Sequence, residues 1–276
     1  MTLSKRDRFC QAFHRFPVLH CPRCGGALTL AEDDFSCPQG HHYNLNRKGC
    51  VNFLSAPVNT CYDKELFAAR RRVFAAGCYD QVADAILQLM PPEDQRILDA
   101  GCGDGWYLAQ LLEKHPSWVG AGIDISKDAI FQATDHPCEA LWCVGDLRRL
   151  PFGEQSFTTV LDVLTPANYS EFQRVLSPDG LMIKVYPGEH YLQEIRLKRG
   201  MPLYAEGKVE AYLHEHAQVI ASRHVTVTHA LTPQLWRDFV WMTPLDQDLS
   251  PEAKEALAQD AAETITIDLH IDAVRL

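Results

Sequence analysis

No stretch of this 276-residue chain approaches the roughly 20 consecutive apolar residues that a membrane helix needs. The opening MTLSKRDRFCQAFHRF carries charges with no apolar run behind them, so it does not read as a secretory signal, and a cytoplasmic protein is expected. Internal repeats and low-complexity tracts are also lacking, which sets aside solenoids and disordered tails. Positive charge is scarce, with 26 Lys and Arg against 36 Asp and Glu, a net charge of −10. That balance argues against a surface that is cationic all over. The scarcity is uneven, however: residues 1–72 hold 11 basic against 6 acidic side chains, and the other 204 residues hold 15 against 30. This fits a basic front end that meets phosphates and an acidic catalytic body, or ordinary variation in solvated charge.

With 46% hydrophobic and 22% charged residues, the composition is that of a soluble globular enzyme. Ten cysteines do not imply disulfides, because nothing points to an oxidising compartment. Only Cys21, Cys24 and Cys37 sit at metal-ligand spacing. Cys10, Cys50, Cys61, Cys78, Cys102, Cys138 and Cys143 are scattered and read as small apolar side chains.

Turn residues dominate from 21 to about 60, leaving little material for an apolar core. From Tyr62 to Met90 the apolar positions Leu66, Val73, Phe74, Val82, Ile86 and Leu89 recur at helical intervals, and Pro91 and Pro92 end the pattern. Strand and helix patterns then alternate: RILDAG, YLAQLLEKH, VGAGIDI, KDAIFQAT, EALWCVGD, TTVLDVL, ANYSEFQRVL and LMIKVYP. Such alternation predicts an α/β fold with a mostly parallel sheet covered on both faces. HVTVTHALT and TITIDLHIDAV alternate with period two and predict antiparallel closing strands.

Cys21-Pro-Arg-Cys24, twelve residues, then Cys37-Pro-Gln-Gly-His41 form a C-x2-C-x12-C-x3-H arrangement. Zinc takes four sulfur or nitrogen ligands tetrahedrally, and two close pairs on separate turns can wrap one ion. A closed protein shell leaves no place for water, so one structural Zn2+ per chain is expected. His42 is an alternative to His41, which is preferred because its turn is the shorter one.

After the strand RIL comes Asp99-Ala-Gly101-Cys-Gly103-Asp-Gly105 and then a helix. Glycines here let the backbone pass close to a ligand. The G-x-G-x-G spacing differs from the dinucleotide G-x-G-x-x-G and suits the amino-acid end of a zwitterionic cofactor, S-adenosylmethionine. Nineteen residues after Gly105, Asp124 ends the next strand, where a carboxylate can bind both ribose hydroxyls. Asp146, after Gly145, can reach the adenine edge, or it can be a loop cap. Tyr107 and Leu108, opening the following helix, complete this candidate set.

Several further stretches accompany these motifs: Lys48-Gly-Cys-Val-Asn-Phe-Leu54, Ala69 to Tyr79, Asp99 to Tyr107, Arg149-Leu-Pro-Phe152 and Pro187 to Leu192. Together they make the chain resemble the zinc-containing 23S rRNA (guanine-N1)-methyltransferases over nearly all of its length from Cys21 onward. The resemblance implies a zinc module on a Rossmann-like class I methyltransferase domain, with S-adenosylmethionine as cofactor and 23S rRNA as substrate. It also adds Tyr79 and His190 to the cofactor or active-site set, and it is compatible with a homodimer. The expected organisation is an extension over 1–20, a zinc module over 21–60, a helical linker over 61–92 and the methyltransferase domain over 93–276. Thr165, before Pro166, and the run from Leu245 after Met242-Thr-Pro244 depart from the family's usual pattern.

Methyl transfer to guanine N1 requires an unstacked base and a group that removes or compensates the N1 proton. Asp162, in TTVLDVL, is the first candidate for that role, or else a structural carboxylate; His190 is the second. Arg70-Arg71-Arg72 either contact phosphates or form a helix face packed on the acidic domain. The competing functions are a small-molecule methyltransferase whose zinc module is a lid, and a non-catalytic RNA-binding assembly factor.

Overall fold

The protein is described by a computed structural model covering every residue except 1, 2, 33, 57, 59–62, 206 and 247. Helix α1 (Lys5–Arg15) starts where Ser4 and Asp7 form a capping box, each side chain accepting from the other's backbone N–H. Three short strands follow, β1 (Thr29–Ala31), β2 (Asp34–Ser36) and β3 (His42–Asn44), as one antiparallel sheet. Phe9 and Phe13 of α1 meet the fully buried Phe35 of β2 edge-on, with ring centroids 5.9 and 4.9 Å apart. Phe16, just past α1, meets Phe157 of the main sheet at 5.4 Å. The N-terminal segment is therefore wedged between the small sheet and the large one, and both share one apolar core.

Chain exit from the small sheet is through β4 (Val51–Asn52), which pairs in parallel with the main sheet's β7 (Leu141–Val144). Helices α2 (Lys64–Ala75) and α3 (Asp80–Leu89) come next. The helical pattern expected over 62–90 is thus divided between two helices. Gly77, at φ +77°, takes a left-handed conformation that ends the first, and the backbone turns before Asp80. Tyr62 and Cys61 lie outside the described residues.

The alternating segment runs β5 (Arg96–Ala100), α4 (Trp106–Lys114), β6 (Val119–Asp124), α5 (Lys127–Ala133), β7, β8 (Phe157–Val163), α6 (Tyr169–Val175) and β9 (Leu176–Pro187). Then come α7 (Gln193–Lys198), α8 (Lys208–His216), β10 (Gln218–Ala230), α9 (Pro233–Met242), α10 (Pro251–Gln259) and β11 (Thr264–Arg275). The sheet order is β10-β11-β9-β8-β5-β6-β7-β4. From β4 to β9 neighbours are parallel, and β11 and β10 close the sheet antiparallel, as the period-two tail predicts. β5 to β8 are buried on both faces, which explains their nearly unbroken apolar sequences. Cys50, Cys78, Cys102 and Cys143 are buried free thiols, and Cys10 and Cys138 are half-buried. Among the described residues no helix is long and apolar enough to cross a membrane.

Candidate active site and metal centre

The carboxyl ends of β5, β6, β7, β8 and β9 open into one cleft of about 1020 Å³, enough for a cofactor together with a substrate group. Its floor is the turn after β5. Gly101 and Gly103 stand at φ +72° and +56°, and both line the cleft. A Cβ on Gly101 would lie 2.4 Å from Thr165 Oγ1, so the bare backbone is what lets this loop approach the β8–α6 turn. Gly105 and Leu108 do not line the cleft. Gly105, at φ +74°, caps α4 against the Trp142 ring, and Leu108 is fully buried. Both hold the helix to the core; neither faces the cofactor space.

Carboxylates dominate the remaining floor. Asp124 accepts from the Gly103 N–H at 2.9 Å and the Ser126 N–H at 2.8 Å, and burial raises its pKa. Asp99 is raised to about 8, by burial first and by Asp124 next. Asp104 is also raised by burial, against the pull of Arg70. Asp99 Oδ2 and the Tyr107 hydroxyl are buried in the cleft with no hydrogen-bond partner. A pocket that gathers acids and leaves such atoms unpaired is built for a cationic ligand with donors of its own. S-adenosylmethionine, with a sulfonium, an ammonium and a ribose diol, fits that requirement.

The opposite wall comes from α2 and α3. Arg70 lines the cleft near Gly103, donates to the Met242 carbonyl at 3.2 Å and lies 5.2 Å from the Phe67 ring centre. Arg71 donates to the Gln132 carbonyl at 2.6 Å and to Asp135 at 3.3 Å. Arg72 clasps the buried Asp238 with Nε and Nη2, at 3.0 and 2.6 Å. Arg71 and Arg72 are therefore a helix face packed on the acidic domain, in line with the second reading of the run, while Arg70 faces the cleft. Tyr79, fully buried at the head of α3, shares a hydrogen bond with Tyr191 at 2.8 Å, and both line the cleft.

Asp146 lines the cleft at the end of β7, bound by the Arg148 backbone and guanidinium, which lower its pKa. Asp162 is fully buried and does not itself line the cleft. Its register partner on β9, Lys184, does: Lys184 Nζ donates to Asp162 Oδ2 at 2.9 Å and to the Thr165 carbonyl at 2.6 Å. Burial raises Asp162 to about 6 despite Lys184, and its Oδ1 has no partner. His190 is set apart from this group. Its backbone N–H donates to Asp268, and its half-exposed ring turns to Gln193 Oε1 at 3.1 Å, so the next residue, Tyr191, takes the place at the cleft. Lys184 escaped the sequence reading, and Arg70 entered it only as part of the arginine run, not as a cleft residue. A charge inside an apolar strand, in IKVY, was the available signal for Lys184.

At the N-terminal sheet the ligand atoms of Cys21, Cys24, Cys37 and His41 all lie within 4.8 Å of one another. His41 Nδ1 is 3.3 Å from Cys21 Sγ and 3.4 Å from Cys37 Sγ, and Cys24 Sγ is 3.5 Å from Cys37 Sγ. Zn–S bonds of about 2.3 Å at tetrahedral angles put sulfurs roughly 3.8 Å apart, so the donor set fits the ion. His42, exposed on β3, stands outside the cluster.

Three kinds of comparison bear on this geometry. Residues 97–180 match the family model described as "Methyltransferase domain". The Bacillus subtilis (strain 168) protein named "Putative 23S rRNA (guanine-N(1)-)-methyltransferase YxjB" is 35% identical over 271 residues, covering 93% of this chain and 96% of its own. The Streptomyces fradiae 23S rRNA (guanine(748)-N(1))-methyltransferase is 26% identical, with 85% of this chain and 87% of its own covered. Among solved structures, the [4+2]-cyclase SpnF overlays 80% of this chain and 98% of its own at a TM-score of 0.54 and 15% identity, a likeness of fold alone.

Proposed function

Because this chain belongs to the 23S rRNA (guanine-N1)-methyltransferase family, we propose that it transfers a methyl group from S-adenosylmethionine to N1 of a guanine in a 23S rRNA hairpin. The observation that carries the reading is the acid-floored cleft at the glycine turn, with Asp99 Oδ2 and the Tyr107 hydroxyl left unpaired. In this reading Asp124 holds the ribose hydroxyls, Asp146 with Gly145 meets the adenine edge, and Asp99 and Tyr107 take the ammonium. Arg70, the cation of the opposite wall, takes the carboxylate. When bound, the cofactor supplies an electrophilic methyl group on a sulfonium.

The chain's own residues have two tasks beyond binding. The first is alignment, since an in-line displacement gains most from holding two reactants in register. The second is the N1 proton. The negative charge left when N1 is deprotonated spreads onto guanine O6, and the Lys184 ammonium at the cleft wall is suited to face it. Asp162 keeps that ammonium in place and serves as base at one remove: Nζ passes a proton to Oδ2 as it takes the one from N1. Asp162→Asn should then lower turnover about 100-fold or more, with cofactor affinity nearly intact.

Zn2+, one per chain, is proposed to close the Cys21, Cys24, Cys37 and His41 shell and stabilise a segment too small to hold by burial. The same reading has a zinc module over 21–60 presenting RNA to a catalytic domain over 93–276, in the cytoplasm. It also carries a homodimer, for which the 13-residue β10 supplies an unpaired sheet edge. The test is transfer of labelled methyl groups to unmodified 23S rRNA transcript, with Asp124→Ala as the control that removes cofactor binding. Cofactor binding by the wild type without any transfer to RNA would refute the reading.

A further inference from the structure

Three of the large apolar side chains that stay exposed, Leu164, Val209 and Tyr212, lie in the same cleft, at 41, 41 and 53% exposure. Exposed apolar surface gathered at one concave site marks a contact face for a ligand. Around Tyr212 the surface is aromatic. Tyr169 of α6 stacks on His216 of α8, centroids 4.8 Å apart and planes 16° from parallel. Tyr212, one turn earlier on α8, leans on both, at 5.8 Å from Tyr169 and 4.3 Å from His216. All three rings line the cleft.

Helix α8 has no other evident purpose for these rings. Among its described residues only Leu213 is buried. The neighbouring turn is built with some strain: Leu164 takes φ +55°, a left-handed conformation costly for a side chain of this kind, and it leads directly into Thr165-Pro166 at the mouth. Leu192, on the cleft's other side, does the same at φ +52°. Two of the four non-glycine residues with positive φ among the described residues therefore shape this cleft. Arg148, its side chain 87% exposed, adds a guanidinium to the lining.

From this arrangement we propose that Tyr212, backed by His216 and Tyr169, is a stacking platform for an unpaired nucleobase of the RNA loop. The inference rests on the rRNA substrate of the preceding section and adds the subsite. A flat, half-exposed π-face supported by two further rings presents what a base unstacked from its helix loses, and the exposed Arg148 guanidinium, paired on one side with Asp146, suits a flanking phosphate. Stacking of this kind tolerates any base, so the platform holds the loop open while the sequence is read elsewhere.

The test combines binding and kinetics with the full chain and a fluorescently labelled 23S rRNA hairpin. Tyr212→Ala is expected to weaken hairpin binding and raise KM for RNA about 5- to 150-fold. S-adenosylmethionine affinity and the single-turnover rate at saturating RNA should change less than twofold. Tyr212→Phe, which keeps the ring, restores RNA affinity, and His216→Ala gives a smaller loss. Because Tyr212 is half-exposed, the alanine variant keeps the fold, and its unchanged cofactor affinity verifies that. If wild type binds the hairpin and Tyr212→Ala binds it equally, the platform falls while the function stands. If wild type neither binds nor methylates the hairpin, both fall.

Discussion

Binding of S-adenosylmethionine should release a proton and tighten with pH, because of Asp99. In the free protein this carboxyl is fully buried beside Asp124, Asp104 and Asp162, and it titrates at about 8 instead of near 3.8. A cationic ligand with an ammonium group beside Asp99 favours the ionised form, so binding below that pKa must first remove the proton. The ionised fraction of Asp99 rises from about 1% at pH 6 to about one half at pH 8, while the charged fraction of the cofactor's amino group, with a pKa of about 7.7–8.0, falls from nearly all to about one half or less, so affinity should rise about 20-fold over that interval, or roughly 1.8 kcal/mol. Above pH 8 the gain ends, since Asp99 is by then mostly ionised and the cofactor's amino group mostly neutral. Isothermal titration at pH 6, 7 and 8 in buffers of different ionisation enthalpy measures both the affinity and the proton released. Asp99→Asn should bind more weakly at pH 8 and show a much flatter profile. The same pKa makes a statement about stability. A folded pKa above the unfolded one contributes stability that is complete below about 3.8 and is lost as pH rises through about 8. The cofactor-free wild type should therefore lose more thermal stability than Asp99→Asn across that window. Affinity that does not change between pH 6 and 8, with no proton released, would refute the reasoning.

The buried pair offers a separate test. Asp162→Ala leaves Lys184 buried without its counter-charge, which should cost about 3–5 kcal/mol in urea unfolding; adding Lys184→Met should recover most of it. A loss below about 1 kcal/mol would show that water reaches the pair. Metal analysis should give one zinc per chain, and chelation should release amide protection in β1 to β3 while the main sheet keeps its own; a metal content near zero after gentle purification contradicts the site. Arg72→Gln should lower stability, by about 1–2 kcal/mol once the arginine's exposure is allowed for, by leaving Asp238 short of its partner. Its RNA binding should keep the wild-type salt slope, whereas a slope smaller by about one would return Arg72 to the phosphates.

Much of this was legible before any coordinates. β5 to β8 are buried on both faces, so each is a short apolar run closed by a turn, and the alternation of such runs with helices leaves few topologies. The four candidate metal ligands were legible because the chemistry of such an ion demands close pairs, and the fold brings His41, not His42, to the three cysteines. The helical character of the linker was legible but its break was not, because Leu66 to Leu89 keep helical spacing across a turn that depends on one left-handed glycine, Gly77. No periodicity announced α7 to α10. They bury few side chains and are set by caps and context, as in α8 with Leu213 alone. The side of the strand that each charge takes was the other gap. Asp162 and Lys184 are 22 residues apart in sequence, and only the β8–β9 register makes them partners. His190 and Tyr191 are neighbours with opposite directions, and the turn held by Asp268 decides which of the two meets the cleft.

The central claim is that the acid-floored cleft directs a methyl group to guanine N1 of 23S rRNA. Its most direct test is incubation of the purified protein with unmodified 23S rRNA and labelled S-adenosylmethionine, followed by digestion to nucleosides and mass spectrometry. The account predicts that the label appears in 1-methylguanosine, in amounts that collapse in Lys184→Met. Label in any other nucleoside, or none in RNA from a protein that binds the cofactor, would contradict it.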